Sequence, residues 1–286
     1  MADLDALLAD LRAEGAAVDA LVARLPPAAW RTPTPAAGWT VAHQIAHLAW
    51  TDDAALLAAT DPDAFRARRA DAAADPAGFV DAGAAAGAAD PPDVLLARWR
   101  AGRARLADAL AAAPAGGRLP WYGTAMAAGS MATARIMETW AHGRDVADAL
   151  GLAVAPTARL RHVAHLGVRT RGHAHLVHGR PVPPGEVHVA LTGPDGEVWT
   201  WGPADAPDRV AGPALDFCLL VCRRVHRDDT ALLATPGTAE DWLAIAQAFA
   251  GPPGEGRAAT GGAGRAANGG RPAAQDPGGT TPGGAA

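Results

Sequence analysis

Leu4, Leu11, Val18 and Leu25 recur seven residues apart, with Leu7, Leu8, Leu21 and Val22 between them, until Pro26 and Pro27 stop the pattern. An apolar stripe of that period predicts a helix over residues 3–25. Such a helix must bury one face against others, because isolated helices are marginal in water. Three more segments of the first 150 residues read the same way. Thr40 is suited to cap a helix running from Val41 to Thr60. Pro91-Pro92 opens a third, with Val94, Leu95, Trp99, Leu106 and Leu110 expected inside and Gly116-Gly117 closing it. The fourth runs from about Ser130 to Leu150 and stops at Gly151. Residues 61–89 are rich in Ala and Asp and weakly patterned, which suggests a short helix and a loose connection. Four long helices on short to medium connections predict a four-helix bundle over residues 1–151.

The second half changes character. A helix is expected near 156–170. EVHVALTG at 186–193 and EVWTWG at 197–202 alternate like strands around the turn sequence PDG, which predicts a hairpin. Trp199 and Trp201, two apart, share one strand face and are expected to pack on a helix. Helices follow at 212–225 and 238–249. Residues 152–253 therefore read as a small α+β domain. From 254 to 286 the chain is Gly, Ala and Pro with almost no large apolar residue. Such a segment cannot offset its own ordering entropy and reads as a disordered tail.

The whole chain is 286 residues, 49% hydrophobic and only 5 units net negative, which excludes a wholly disordered protein. No apolar run is long and clean enough for a membrane span. All 25 basic residues are arginine, spread without a basic stripe, and the pI is near 6.0. Nucleic acid is therefore not an expected partner. The first residues carry no basic or apolar leader pattern, and Cys218 and Cys222 make no disulfide framework. A cytoplasmic protein is expected.

The residues that carry chemistry sit on the second and fourth helices as His43-x3-His47 and Glu138-x3-His142. Residues four apart share a helix face, about 6 Å apart along the axis. Imidazole and carboxylate on one face, met by a His from a facing helix, suit a Zn²⁺-like ion with its fourth position open. A half-buried polar pair has the same spacing, so both readings stand. The inner Glu of a zinc-protease motif is missing.

GWTVAHQIAHLAW at 38–50 and ARIMETWAHGRDVADALG at 134–151 resemble the N-terminal domain of mycothiol-dependent maleylpyruvate isomerase, within the DinB-like metal-binding bundles. GEVWTWG, GPALDFCLLVCRR and WLAIAQAFAGPPGEGR extend the likeness to an actinobacterial family of uncharacterised metal-binding proteins, over about residues 5–257. The resemblance implies that His47, Glu138 and His142 hold a divalent metal, usually zinc. It also implies a low-molecular-weight thiol, mycothiol, acting with a small electrophilic substrate, and it allows a homodimer. Arg223 and Arg224 end an apolar helix, where cations meet the helix dipole. By the resemblance, one of them would clamp an anionic substrate near the metal. His43 fits a fourth ligand, a residue supporting a ligand, or plain helix surface. Asp145 fits a ligand-orienting role or an arginine ion pair.

Cys218, Cys222 and His226 are spaced too far along one helix for a metal site, since the outer two lie about 12 Å apart. The cysteines are expected in the core. The C-terminal piece of the family it resembles has sometimes been grouped with a segment of wyosine-forming tRNA enzymes, but two cysteines cannot hold an iron–sulfur cluster. The histidines at 162, 165, 173, 175, 178 and 188 read as solvated or capping, with His173 and His175 on one strand face. Trp39 and Trp140 are expected to wall the bundle core. Nucleotide-binding and serine-hydrolase motifs are absent. The function read from the sequence is a zinc-dependent thiol isomerase or S-transferase. The alternative is a non-catalytic, metal-stabilised small-molecule-binding protein in which His43 closes the metal site.

Overall fold

In the computed structural model the chain is described over residues 3–75, 78–251, 254 and 256–261. The first helix, α1 (Leu4–Val22), starts where the Asp3 carboxylate accepts from the Asp5 N–H. It buries Leu7, Leu8, Leu11, Val18 and Val22, the stripe read from its spacing. A 3-10 turn (Pro27–Arg31) buries Trp30 and leads to α2 (Val41–Thr60). The other two bundle helices are α5 (Pro92–Ala111), with proline at its start, and α6 (Ala128–Leu150), closed by Gly151 at φ 65°. Glycine takes that left-handed turn without the Cβ clash that penalises other residues. Helix α2 packs on α5 and α6, and α1 packs on α6 and α5. Ile45, Leu48, Leu95 and Trp99 fill one layer of the bundle; Leu8, Leu106, Leu110 and Met131 fill the next. Val94 departs from expectation and is exposed.

The weakly patterned stretch is more ordered than its sequence suggests. It forms α3 (Pro62–Ala74) and α4 (Phe79–Ala88), and α4 lies along α2. Small residues replace the missing apolar stripe: a Cβ on Gly87 would come within 2.9 Å of the Ala46 Cβ. Backbones that approach this closely leave no room for the large side chains that make a helix legible.

In the second half, α7 (Leu160–Arg169) and α8 (Arg171–Val177) precede a four-stranded sheet in the order β2-β1-β3-β4. The predicted hairpin is present: β1 (Val187–Thr192) and β2 (Val198–Trp201) pair antiparallel, Thr192 opposite Val198. Gly196 at φ 86° makes the turn. Strand β3 (Asp208–Pro213) runs parallel to β1, and β4 (Leu233–Ala234) pairs antiparallel with β3. Neither β3 nor β4 is legible in sequence, because DRVAGP carries Gly and Pro and buries only Val210. Helices α9 (Ala214–Val221) and α10 (Thr238–Ile245) are shorter than the spans expected for them. Helix α9 stops because Arg223 adopts φ 60°, with the Arg224 N–H on Leu219 O and the Arg223 N–H on Leu220 O. This is a Schellman turn with arginine where glycine is usual.

Helix α6 is shared by both halves. One face joins the bundle, while Met137, Trp140 and Ala141 enter the core formed by α7, α9 and the sheet. Trp140 thus walls the second domain rather than the bundle, a correction to the sequence reading. His173 and His175 lie on α8, not on a strand. Trp199 is in the core, and the Trp201 indole donates to His165 Nδ1 of α7, as the shared strand face predicts. Across the domains, Arg159 reaches Glu14 and His162 reaches Asp10. The tail expected to be disordered lies largely outside the described residues. In its described part Arg257 and Thr260 bond to the body of the protein.

Candidate metal centre

Helices α2 and α6 bring together His47, Glu138 and His142, the one group of at least three such side chains among the described residues whose ligand atoms converge, all within 4.8 Å of one another. His47 Nε2 lies 3.4 Å and His142 Nε2 3.2 Å from the same oxygen, Glu138 Oε2. Tetrahedral zinc with bonds of about 2.05 Å separates its ligand atoms by about 3.3 Å. Burial alone would raise the Glu138 carboxyl, but interactions with His142 and His47 outweigh it and hold the group well below its ordinary range. Burial and the nearby His47 push the His142 imidazolium down to about 4. At neutral pH the cluster therefore offers a charged carboxylate and a neutral His142 imidazole, the forms that ligate metals.

A tautomer argument sharpens the fit. His142 Nδ1 stands 2.5 Å from Gln44 Oε1, which accepts its proton and leaves a lone pair on Nε2. Gln44 is held in turn by donating to Thr34 Oγ1 at 2.9 Å. The donor set of two imidazoles and one carboxylate fits a zinc-like ion.

Trp39 covers the cluster. Its ring stacks on His142 at 5.9 Å between centroids and lies 5.3 Å from His47. The indole N–H donates to Asp81 of α4 at 3.0 Å, so the segment that looked like a loose connection fixes the cover. An aromatic wall of Trp50, Phe79 and Tyr122 continues from His47. Beneath the cluster, Asp52 pairs with Arg135 at 2.8 Å and accepts from Trp99, while Thr51 bonds His47 O and Arg135. Sequence reading missed Gln44, Asp81 and this buried pair. Gln44 has a local signal, one turn before His47 and three residues before it on the same helix face, whereas Asp81 has none.

His43 does not join the cluster. Its Nδ1 lies 2.9 Å from Thr40 Oγ1 and accepts from the Thr40 N–H, closing a capping box at the start of α2. Arg224 donates to Asp145 at 2.7 Å, and its charge acts on both His142 and Glu138. Arg223 points elsewhere, donating to Gly254 O. Cys218 and Cys222 are buried; burial, with Glu138 and Asp145 nearby, pushes the Cys222 thiol up to about 12.

A four-helix bundle carrying this cluster is joined through α6 to a small α+β domain. Residues 11–147 match the mycothiol maleylpyruvate isomerase N-terminal domain, and residues 183–235 match the wyosine base formation family. Uncharacterised proteins of Mycobacterium tuberculosis, from strains H37Rv and CDC 1551, are each 54% identical over 257 residues, 90% of this chain and all of theirs. The chain belongs to the family of these mycobacterial proteins. The crystal structure of a mycothiol-dependent maleylpyruvate isomerase shares the fold, with a TM-score of 0.56 at 17% identity over 82% of this chain and 94% of that one. A histidine-to-alanine mutant of that enzyme matches equally well, at 16% identity.

Proposed function

We propose that this protein is a zinc-dependent, mycothiol-using isomerase or S-transferase acting on a small electrophilic substrate, with His47, Glu138 and His142 as its metal ligands. The observation that carries the reading is the convergence of two imidazoles on one charged Glu138 oxygen at tetrahedral spacing. When bound there, a zinc ion lowers the pKa of a thiol and so supplies a thiolate nucleophile at neutral pH.

The chain's own residues supply the rest. Gln44 keeps the His142 proton on Nδ1, so Nε2 stays available as a ligand. Trp39 and Trp50 exclude water from one side, which strengthens electrostatic interactions within the site. Arg224, which donates to Asp145 and to Cys222 O and whose charge reaches His142 and Glu138, is the arginine we assign to a substrate or thiol carboxylate, since charge-assisted pairs of this kind are both strong and directional. Arg223 shapes the turn that sends Arg224 inward. A structural zinc closed by a fourth protein ligand would need a donor other than His43, which caps α2. Among the described residues no helix is long and apolar enough to cross a membrane, and a cytoplasmic setting accords with a thiol co-substrate.

Elemental analysis of wild type and Glu138→Ala, followed by assays of maleylpyruvate and other small electrophiles with mycothiol, tests the reading. About one zinc per wild-type chain, lost in the variant, together with thiol-dependent turnover, is expected. A folded wild-type protein that takes up no zinc would overturn it.

A further inference from the structure

The second domain holds a cleft of about 240 Å³ that the proposed chemistry does not use. His175, Arg180, Pro181, Pro183, Thr238 and Asp241 line it. His175 is only 4% exposed, yet neither ring nitrogen has a hydrogen-bond partner among the described residues. Each buried polar atom left unmatched costs about 1–3 kcal/mol, and native proteins carry few of them. Two on one side chain facing a cleft point to a ligand that matches them.

The charges around His175 define that ligand. Burial, then Arg171 and Arg180, push the imidazolium pKa down, with His178 adding to the push and Asp241 opposing it. The ring is therefore neutral at pH 7, with one donor and one acceptor. Arg171 is engaged, donating to Gly185 O at 2.6 Å and lying 3.5 Å from Asp208. Arg180 and Asp241 form no side-chain hydrogen bond or ion pair among the described residues, so the cleft holds one free cation and one free anion. Helix α10 adds an N-terminus without a side-chain cap. The larger cavity of about 270 Å³, between α1 and α5, offers nothing comparable. Its Arg100 and Arg103 already pair with Asp19, and its Arg12 pairs with Asp108.

We propose that this cleft is a binding site for a small carboxylate that also carries a hydrogen-bond donor, a hydroxy or amino acid. Arg180 receives the carboxylate, the His175 imidazole matches its polar atoms, and Asp241 accepts from the ligand's hydroxyl or ammonium group. A phosphate dianion fits poorly, because it would face the Asp241 carboxylate.

The test uses imidazole ¹H–¹⁵N spectra of the full chain titrated separately with glycolate, acetate and inorganic phosphate. Among the ten histidines, one signal, missing in His175→Gln, is expected to shift saturably, with glycolate binding at least about threefold tighter than acetate or phosphate. Arg180→Ala should weaken glycolate about tenfold, and Asp241→Asn should abolish the preference over acetate. Both positions are exposed, so these variants are expected to fold. Glu138→Ala should respond as wild type, which separates this site from the metal centre. No saturable shift up to about 100 mM, an undiminished response in Arg180→Ala, or phosphate binding as tightly as glycolate would overturn the proposal.

Discussion

The Asp145 carboxylate, three residues past His142, accepts from Arg224 Nη2 at 2.7 Å. Its other oxygen accepts from Arg257 Nη2 at 2.8 Å, and Arg257 reaches Asp148 as well. Asp145 is buried and Arg224 nearly so, which makes this a hydrogen-bonded charge pair with little water to replace a lost partner. Helix α6, the turn after α9 and the segment beyond Gly254 are thereby tied at one carboxylate.

Removing that carboxylate should be costly. Asp145→Ala leaves the Arg224 guanidinium without its carboxylate, while Arg257 keeps Asp148, and is expected to lose about 3 kcal/mol of stability in urea unfolding. Zinc content should persist, because Asp145 touches none of the three ligands. Turnover should suffer through KM for an anionic substrate more than through kcat. Unchanged stability would show that the pair is solvated rather than buried.

Gly143 sits beside His142 where α6 meets α1, and a Cβ there would stand 2.5 Å from Val18 Cγ2. Gly143→Ala should therefore push the helices apart, at about 1–3 kcal/mol, and weaken zinc binding by shifting His142. The double variant Val18→Ala/Gly143→Ala should recover most of the zinc affinity. Purely additive losses in that double-mutant cycle would refute a steric cause.

His43 and His47 lie one turn apart and should behave differently. His43→Ala should cost about 1 kcal/mol through the lost cap and leave zinc stoichiometry intact. His47→Ala should abolish zinc uptake, as measured by elemental analysis after dialysis. Loss of the metal in both variants would reinstate His43 as a ligand.

Acid should destabilise the metal-free protein in a defined window. The folded His142 pKa lies near 4, below its ordinary 6.5. The unfolded chain therefore binds the extra proton between those values, so stability rises with pH across that range and is lost as pH falls through it. The depressed Glu138 carboxyl adds a further loss below its ordinary 4.5. Unfolding midpoints of the apo-protein should fall steadily from about pH 6.5 to 4, and His142→Gln should flatten the slope. An equal slope in that variant would assign the effect to other groups.

Local spacing made α1, α2, α5, α6 and the β1–β2 hairpin legible and marked the Glu138/His142 pair, because an i,i+4 His/Glu pair and period-two alternation are written in neighbouring residues; the choice of His47 as their partner came from the family resemblance. The shared strand face also anticipated the packing of Trp199 and Trp201. Helices α3 and α4 escaped because they pack by glycine and alanine. Strand β3 escaped because its Gly and Pro break the alternation while β1 supplies its pairing.

Other features existed only once the chain had folded. Asp145 meets Arg224 and Arg257 across 79 and 112 residues, and Trp39 meets Asp81 across 42. The left-handed turn at Arg223, not the residue type, decides which of two adjacent arginines faces the cluster. His175 was one histidine in a dense run until α8 placed it, buried, in one cleft with Arg180 and Asp241. Periodicity records which face of an element is apolar, so the sequence by itself determined the bundle, the hairpin and the candidate ligands. Which polar groups meet depends on how those faces dock and on loop closures with no local signature, and that only the tertiary structure decided.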